Sequence, residues 1–177
     1  MSFVKVSFEN AVKFFLLTLL FFNFAYSADA TLNFDYSSSS SGQIDILYDF
    51  QVDVTGFQFD IDGATVTGTS GGAAATAGFE MNNGNSTVVG FSFSLDSIPA
   101  GSGLLTTISY DTSSMESAIT LSAGDGTIVA PDGSILSIDI DDSFSHPTDC
   151  LGAYYGSSTN DSCSVCNGDG SSCSEVT

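Results

Sequence analysis

Few residues in this sequence have both the type and the spacing that chemistry would need. Gly68-Thr-Ser70-Gly-Gly72 has the G-x-S-x-G spacing of a serine nucleophile on a strand-to-helix turn. Such a serine needs a histidine base, and the one histidine, His146, lies in a Pro-containing segment that is typical of a solvated linker. Gly and Ser are abundant here, so the spacing arises readily by chance. We predict no catalytic serine.

Glycoside hydrolysis by paired carboxylates is the second chemistry to consider. The chain has 21 Asp and Glu residues, but their spacing singles out no pair. Sugar subsites usually offer aromatic platforms, and the sequence contains no tryptophan. Tyr154 and Tyr155 could serve, whereas Tyr48 and Tyr110 fit core positions of predicted strands. We therefore predict that the protein is not an enzyme.

Calcium is the most plausible inorganic ligand, because it prefers carboxylate oxygens and no cationic side chain competes for them. Candidate ligands are Asp60 and Asp62, on one face of a predicted strand, and Asp139, Asp141 and Asp142, where the last predicted strand ends. None of these segments matches the D-x-[DN]-x-[DN]-G-x5-E loop. The alternative is an acidic face in contact with water. We predict no cofactor other than calcium.

The charge distribution excludes one class of partner. Lys5 and Lys13 are the only basic residues besides the histidine, and only Glu9 of the 21 acidic residues precedes residue 28. Binding to a nucleic-acid backbone normally takes Lys and Arg, so we predict no nucleic-acid partner. Water, dissolved cations or bound metal must balance the carboxylates, which suits a salty exterior where charges are screened.

Residues 1–27 have the pattern of a secretory signal peptide. Lys5 and Lys13 precede an apolar run over 14–24, and Ala25-Tyr-Ser27 places small residues where a signal peptidase cleaves, before Ala28. The apolar run is shorter than the roughly 20 residues of a membrane-spanning helix. An uncleaved anchor is the alternative. We predict a secreted, extracellular protein with no membrane span after cleavage.

The predicted extracellular location indicates that the cysteines are oxidised. The chain has four cysteines, and an even number in an oxidising compartment predicts that they form two disulfides. The sequence leaves all three possible pairings open for Cys150, Cys163, Cys166 and Cys173. The alternative is a zinc site, since Cys163 and Cys166 have ligand spacing. Asn85-Ser-Thr and Asn160-Asp-Ser are glycosylation sequons in predicted loops, used only if the source glycosylates such sites.

The middle of the chain alternates apolar and polar residues with a period of two, between turns rich in Gly, Ser, Asn and Asp. This pattern predicts an all-β, jelly-roll-like two-sheet sandwich of about nine strands. We assign the sandwich to residues 28–145 and a Cys-rich Gly/Ser tail to residues 146–177, with a break over 142–147. The main predicted strands are 31–36, 43–54, 57–61, 87–95, 103–110, 118–122, 126–130 and 134–140.

The alternation also predicts which side chains face the core. In the segment 87–95 the inward residues would be Val89, Phe91, Phe93 and Leu95, and the outward ones Gly90, Ser92, Ser94 and Asp96. The same reasoning places Tyr36 and Val52 on inward faces of the first two strands.

The segment Val54-Thr-Gly-Phe-Gln-Phe-Asp-Ile61 resembles the V-x-G-F-Q-F-x-I strand of cohesin-like modules, whose sandwich is shared with certain cellulose-binding modules. The segments 89–94 and 98–108 resemble the following strands and the G-x-L-x-x-I run of that family. The resemblance covers about residues 31–141. It implies a non-enzymatic, extracellular recognition module; in cellulosomes, cohesins hold the dockerins of carbohydrate-degrading enzymes.

The tail carries a second resemblance. Residues 161–173 are similar to the C-G-V-C-G-G-D-G-S-S-C motif of cysteine-rich regions in extracellular matrix metalloproteases and some other secreted proteins. Ser164 and Asn167 replace the glycines that follow the first two cysteines of the motif. The resemblance implies an extracellular spacer without catalytic residues.

Two functional hypotheses follow. The first is a secreted recognition module that binds an extracellular protein or a polysaccharide through a sheet face or a loop rim. The second is a self-assembling subunit of an extracellular filament or surface layer. In that hypothesis the strand over 31–36, set off by the serines of 37–41, pairs with the open sheet edge of a neighbour.

Overall fold

The computed structural model describes residues 28–124, 126–171 and 173. The predicted signal peptide, residues 1–27, lies outside this part of the chain. Within it, no helix is long and apolar enough to cross a membrane. Nearly all regular structure is β, and the strands form two sheets.

The first sheet has five strands: β1 Ala30–Ser40, β2 Gln43–Phe50, β4 Thr65–Ser70, β7 Gly101–Asp111 and β10 Ile138–Asp139. Their order across the sheet is β10-β1-β2-β7-β4. All neighbours are antiparallel except β1 and β10, which run parallel. In β1 the buried residues Ala30, Leu32 and Phe34 alternate with less buried ones, because successive side chains point to opposite faces.

The strands of the second sheet are β3 Gly56–Asp62, β5 Glu80–Asn83, β6 Thr87–Phe91, β8 Ala118–Ser122, β9 Ile128–Val129 and β11 Asp141–Ser145. Their order is β11-β8-β3-β6-β5, with β9 also paired to β3. One short helix, α1, covers Gly72–Thr76 between β4 and β5.

The core lies between the two sheets and is apolar. Thr106 is buried there with its hydroxyl donating to the Ser70 carbonyl at 3.1 Å. The largest fully buried side chains come from both sheets and their loops: Phe50, Phe59, Leu32, Ile44, Ile46, Ile61, Ile98, Leu105, Ile108, Ile119, Leu121 and Ile128. This arrangement confirms the predicted all-β sandwich.

The predicted orientation of β6 is wrong. Val88 and Gly90 are buried, whereas Phe93 is 80% exposed and Leu95 is 82% exposed. The reason is the ring of Phe57, which occupies the space next to Gly90: a Cβ built on Gly90 would lie 2.4 Å from Phe57 Cζ. The strand also ends at Phe91, so the two exposed residues belong to the following loop.

The predicted inward orientation of two further side chains is wrong for a related reason. Val52 lies beyond the end of β2 and is 41% exposed, because the strand stops at Phe50. Tyr36 is 51% exposed and stacks on the ring of Phe144, with centroids 5.7 Å apart. In both cases apolar and polar residues still alternate in the sequence beyond the last residue that the other sheet covers.

The predicted break over 142–147 is also wrong. Residues 141–145 form β11, paired in antiparallel register with β8, and Phe144 is buried. His146 is not a solvated linker residue, since it is only 5% exposed. The tail that follows folds back over it and covers its ring with Tyr154 and Tyr155.

The first turn of the tail is organised by the carboxylate of Asp149. Its Oδ1 accepts the backbone N–H groups of Leu151 and Ala153 at 2.9 Å, and its Oδ2 accepts that of Ser158 at 3.2 Å. These bonds lower the pKa of Asp149, and the bond from the Ala153 N–H contributes most. Gly156 leaves the space that the carboxylate fills, since a Cβ there would lie 2.1 Å from Oδ2.

The second turn repeats this arrangement 12 residues later around Asp161. Oδ1 accepts the N–H groups of Cys163 and Val165, and Oδ2 accepts that of Gly170, each at 2.9 Å. Hydrogen bonding, first from Val165, again lowers the pKa of the carboxyl group. A Cβ at Gly168 would lie 2.0 Å from Oδ2 of Asp161. The tail is therefore a tandem repeat of two turns.

One disulfide joins the two turns, and the other closes the second turn. Cys150 pairs with Cys166, and Cys163 pairs with Cys173, with Cα–Cα distances of 5.5 and 5.2 Å. The two predicted disulfides are thus confirmed, and the structure selects one of the three pairings. No cysteine of the described chain is free. Cys163 and Cys166 therefore have no thiolate to offer the zinc ion of the alternative hypothesis.

Candidate interaction surface

One end of the sandwich carries loops with exposed apolar side chains. At this end β2 and β6 finish while β3 and β7 begin. We call the loops 51–55, 92–100 and 130–135 the end surface. The tail lies at the opposite end, because it follows Ser145, which pairs with the first residue of β8, Ala118.

Backbone hydrogen bonds join the first two loops of the end surface. Val54 and Ile98 form an isolated antiparallel bridge, with N–H···O distances of 2.9 and 2.8 Å. The Ser92 N–H also donates to the Thr55 carbonyl at 3.3 Å. Both bridge residues are fully buried, so they anchor the loops in the core.

The side chain of Asp53 fixes the loop 92–100 further. Its Oδ1 accepts the Ala100 N–H at 2.9 Å, and its Oδ2 accepts the Ser97 hydroxyl at 3.4 Å. Within the loop, the Asp96 N–H donates to the Ser92 hydroxyl at 3.0 Å. The loop is thus held in one conformation by several local bonds. The sequence pattern alone gives Asp53 no such role.

The third loop is connected through Thr55. The Thr55 N–H donates to the Val129 carbonyl at 2.9 Å, and its hydroxyl lies 3.3 Å from the carbonyls of Val129 and Ala130. Val129 pairs in turn with Ile135. All three loops therefore meet around the start of β3.

The apolar side chains of the end surface are open to solvent. Phe93, Leu95 and Ile135 are 80%, 82% and 68% exposed. Leu95 also has a φ of 61°, a left-handed conformation that costs a residue with a side chain about 1–2 kcal/mol. Strained backbone of this kind is concentrated at active sites, ligand-binding loops and switch regions of proteins.

The rim of this surface is acidic. Asp53, Asp96 and Asp132 lie in its three loops, and no Lys or Arg occurs after residue 27 to offset them. The side chain and then the backbone N–H of Ser134 donate to Asp132 and lower the pKa of its carboxyl group. The end surface can thus offer apolar contact within a negatively charged border.

The candidate calcium ligands lie on strands of both sheets. Asp60 and Asp141 both pair with Ser122 of β8, from opposite sides, and Asp142 follows Asp141 in β11. Asp62 is an exposed residue at the end of β3, whereas Asp139 lies in β10 of the other sheet.

The carboxylate of Asp142 is hydrogen-bonded within the protein. It accepts hydrogen bonds from the Phe34 N–H at 2.9 Å and from the Tyr36 hydroxyl. The second of these bonds raises the pKa of Tyr36. Asp60 differs, because its Oδ1 is buried without a hydrogen-bond partner in the described chain. No group of three His, Cys, Asp or Glu residues suited to a metal occurs among the described residues. Calcium binding stays a prediction, centred on Asp60.

Thermal melting tests this prediction. If Asp60 binds calcium, adding calcium at low salt should raise the melting temperature. The folded state would gain about 2.7 kcal/mol of stability at a free calcium concentration 100-fold above Kd. A chelator should reverse the shift, and Asp60→Asn should remove it. Magnesium at equal ionic strength serves as the control for screening. An unchanged midpoint with calcium would leave a solvated acidic face as the better description.

The residues considered for catalysis are not joined by a hydrogen bond. Ser70 is an exposed residue at the end of β4, where it pairs with Thr107. His146 lies under the tail, where its Nδ1 is 2.8 Å from the hydroxyl of Tyr155 and its Nε2 has no partner in the described chain. The structure therefore does not bring this serine and histidine into a nucleophile–base pair.

The two sequons are accessible. Asn85 is exposed in the turn between β5 and β6, where its carbonyl accepts the Val66 N–H at 2.7 Å. Asn160 is exposed in the tail, where it forms a bridge with Cys166. Their glycosylation stays a prediction.

Comparison with solved structures gives several matches, two of which are described here. The first is a non-cellulosomal cohesin from the hyperthermophilic archaeon Archaeoglobus fulgidus, with 17% identity and a TM-score of 0.48 over 67% of this chain and 91% of that one. The second is a chain from a complex of a CaDoc0917 variant with CaCohA2, with 12% identity and a TM-score of 0.45 over 66% and 98%. Neither a protein-family model nor a curated protein matches the chain.

Proposed function

We propose that this protein is a secreted, non-enzymatic recognition module of cohesin-like type that binds an extracellular protein through its end surface. The observation that carries the proposal is the exposure of Phe93 and Leu95 on a loop that Asp53 holds in place. A fixed loop loses little conformational entropy on binding, so its apolar side chains contribute more of their burial to affinity. The strained backbone of Leu95 fits the same role.

The composition of the chain supports an extracellular location and a particular kind of partner. Two disulfides favour an oxidising compartment. With no Lys or Arg after residue 27, the rim of the end surface attracts a partner that carries basic residues around an apolar centre. Apolar anchors at the centre and charges at the rim are the usual arrangement of a specific protein interface.

Self-assembly by strand addition is one alternative. The strand proposed as the donor, β1, pairs with β2 along one edge, but β10 pairs with its other edge only at Ala30 and Thr31. The serines of 37–40 belong to the same strand, in which the register shifts between Asp35 and Ser40. Polysaccharide binding is the other alternative, and the same experiment distinguishes the three.

A binding array tests the proposal. The secreted chain, with both disulfides formed, is applied to arrays of secreted proteins and of polysaccharides. We expect a protein ligand whose Kd rises at least tenfold in the variant Phe93→Ser/Leu95→Ser, since burying one such side chain contributes about 1.5–3 kcal/mol. Leu151→Ser is the matched control, because Leu151 is 67% exposed in the tail, away from the end surface.

Four outcomes would count against the proposal. Binding to no secreted protein would remove it, and so would equal affinity of the wild type and the double variant for a protein ligand. Retention on a polysaccharide alone would favour the carbohydrate alternative. A rise in molecular mass with protein concentration, in light scattering of the same samples, would favour self-assembly.

A further inference from the structure

The chain's one histidine is enclosed by aromatic rings where the tail meets the sandwich. His146 is 5% exposed, and its ring lies 5.5 Å from those of Tyr110 and Phe144, which belong to the sandwich. From the tail, the rings of Tyr155 and Tyr154 lie 5.5 and 5.8 Å away. The histidine is thus the centre of the contact between the two parts.

A chain of hydrogen bonds fixes the protonation of the imidazole. The Tyr110 hydroxyl lies 3.1 Å from the Ser40 carbonyl, which can only accept, so Tyr110 donates to it. The Tyr155 hydroxyl, 3.1 Å away, therefore donates to Tyr110. It must then accept from His146 Nδ1 at 2.8 Å. This order assigns the proton to Nδ1 and leaves Nε2 with a free lone pair, without a partner in the described chain.

Backbone bonds continue the same contact. The His146 N–H donates to the Ser117 carbonyl at 3.0 Å, which holds the start of the tail to the segment before β8. The Tyr155 N–H donates to the Pro147 carbonyl at 2.9 Å, which folds the first tail turn back over the histidine. The ring and the backbone therefore depend on the same docked geometry.

No described carboxylate is hydrogen-bonded to the histidine. Asp111 bonds Ser113, Asp142 bonds Tyr36, and the Asp149 carboxylate bonds amides of its own turn. Glu116, next to Ser117, is exposed. Titratable residues on the elements around the ring are Asp35, Tyr36, Tyr110, Asp111, Glu116, Asp141, Asp142, Asp149, Tyr154 and Tyr155. Among the described side chains of this set, only Tyr155 bonds the histidine.

We propose that His146 is an acid-sensitive latch that holds the disulfide-bonded tail against the sandwich while it is neutral and releases the tail when it is protonated. Protonation would place a second N–H on Nε2, in a buried position with no acceptor and no counter-ion within the described chain. Attraction of the cation to the aromatic faces offsets only part of that cost. Release into water would hydrate both nitrogens.

The direction of the pH dependence follows from burial. Desolvation lowers the pKa of His146 in the docked state below its ordinary value of 6.5. The released state then binds more protons than the docked state below pH 6.5. Docking is therefore complete above this pH and weakens as the pH falls through the lowered value. Hydrogen bonds, first from the Ala153 N–H, also lower the pKa of Asp149, whose carboxylate organises the first tail turn.

Nuclear magnetic resonance of the secreted, oxidised chain tests the latch, since one histidine gives one imidazole titration. We expect an apparent pKa below 6.5 for His146. Between about pH 7 and pH 5, the hydrogen-exchange protection factors of the His146 and Tyr155 amides should fall at least tenfold. Those of Phe59 and Ile61 in β3, within the core, should not change over the same range.

The variant His146→Asn provides the second measurement, because its side-chain amide keeps a donor near the position of Nδ1 and does not titrate. The tail amides of this variant should lose their pH dependence over the same pH range. Two results would overturn the proposal. One is a protonated His146 with the tail amides still protected; the other is an equal loss of protection in the variant. If the variant fails to dock at any pH, the wild-type titration alone decides.

Discussion

Replacing Phe59 by alanine should lower the free energy of unfolding by about 3–5 kcal/mol, the largest loss we expect from a single substitution. Phe59 has no exposed surface, and its ring lies 5.9 Å from that of Phe57 in a stacked arrangement. It lies in β3, which has β6 on one side and β8 on the other. Removing it would leave a cavity in the middle of the second sheet, where neighbouring strands limit relaxation.

Urea unfolding of the oxidised chain measures this effect. Phe93→Ala is the matched control, since the same atoms are removed from a side chain that is 80% exposed. We expect the control to change stability by less than about 0.5 kcal/mol. Similar losses for the two variants would contradict the assigned core.

Replacing Gly90 by valine should destabilise the protein by about 1–3 kcal/mol through overpacking. A Cβ at this position would lie 2.4 Å from Phe57 Cζ and 2.8 Å from two other ring atoms. The ring cannot move away cheaply, because it is 3% exposed and stacks on Phe79 at 5.9 Å as well as on Phe59. The glycine therefore makes room for an aromatic ring of the neighbouring strand.

Gly103→Val is the control for the second substitution. Gly103 is exposed in β7, and a Cβ there would meet only Tyr48 Cε1 at an ordinary 3.7 Å. Valine suits a strand, so this variant should stay within about 0.5 kcal/mol of wild type. Wild-type stability of Gly90→Val would instead support the orientation of β6 with Phe91 and Phe93 inside.

That disagreement shows where period-two patterning is sufficient and where it is not. In β2 and β3 one face holds most of the apolar residues, so the alternation predicts the buried side correctly. In the segment 87–95, both faces contain apolar residues, and the richer one is the wrong choice. The ring of Phe57 determines which face of β6 is buried, because it fills the space beside Gly90. Such a contact between strands cannot be derived from the spacing within one of them.

The burial of His146 was missed for a different reason. Ser-His-Pro is typical of a connection, and the residues that cover the ring come from both directions along the chain, with Tyr110 before it and Tyr155 after it. The repeat in the tail, by contrast, had a signal in the sequence. Asp149 and Asp161 are 12 residues apart, as are Gly156 and Gly168, and each glycine lies next to the carboxylate of its own turn.

For the end surface, the sequence predicted a loop rim as one location for binding but not the residues that form it. Phe93 and Leu95 were assigned to the core, because the strand was expected to continue to residue 95. Asp53 received no role, since its bond to the Ala100 N–H joins segments that are 47 residues apart. The disulfide pairing was equally open, because four cysteines allow three pairings and the spacing does not distinguish them.

Hydrogen–deuterium exchange of the secreted chain, with and without a captured protein ligand, is the most direct test of binding through the end surface. We predict that bound ligand slows exchange in residues 92–98 and in the adjoining loop 51–55, while exchange in the tail is unchanged. Protection confined to the open face of a sheet or to the tail, with exchange in 92–98 as in the free protein, would contradict this prediction.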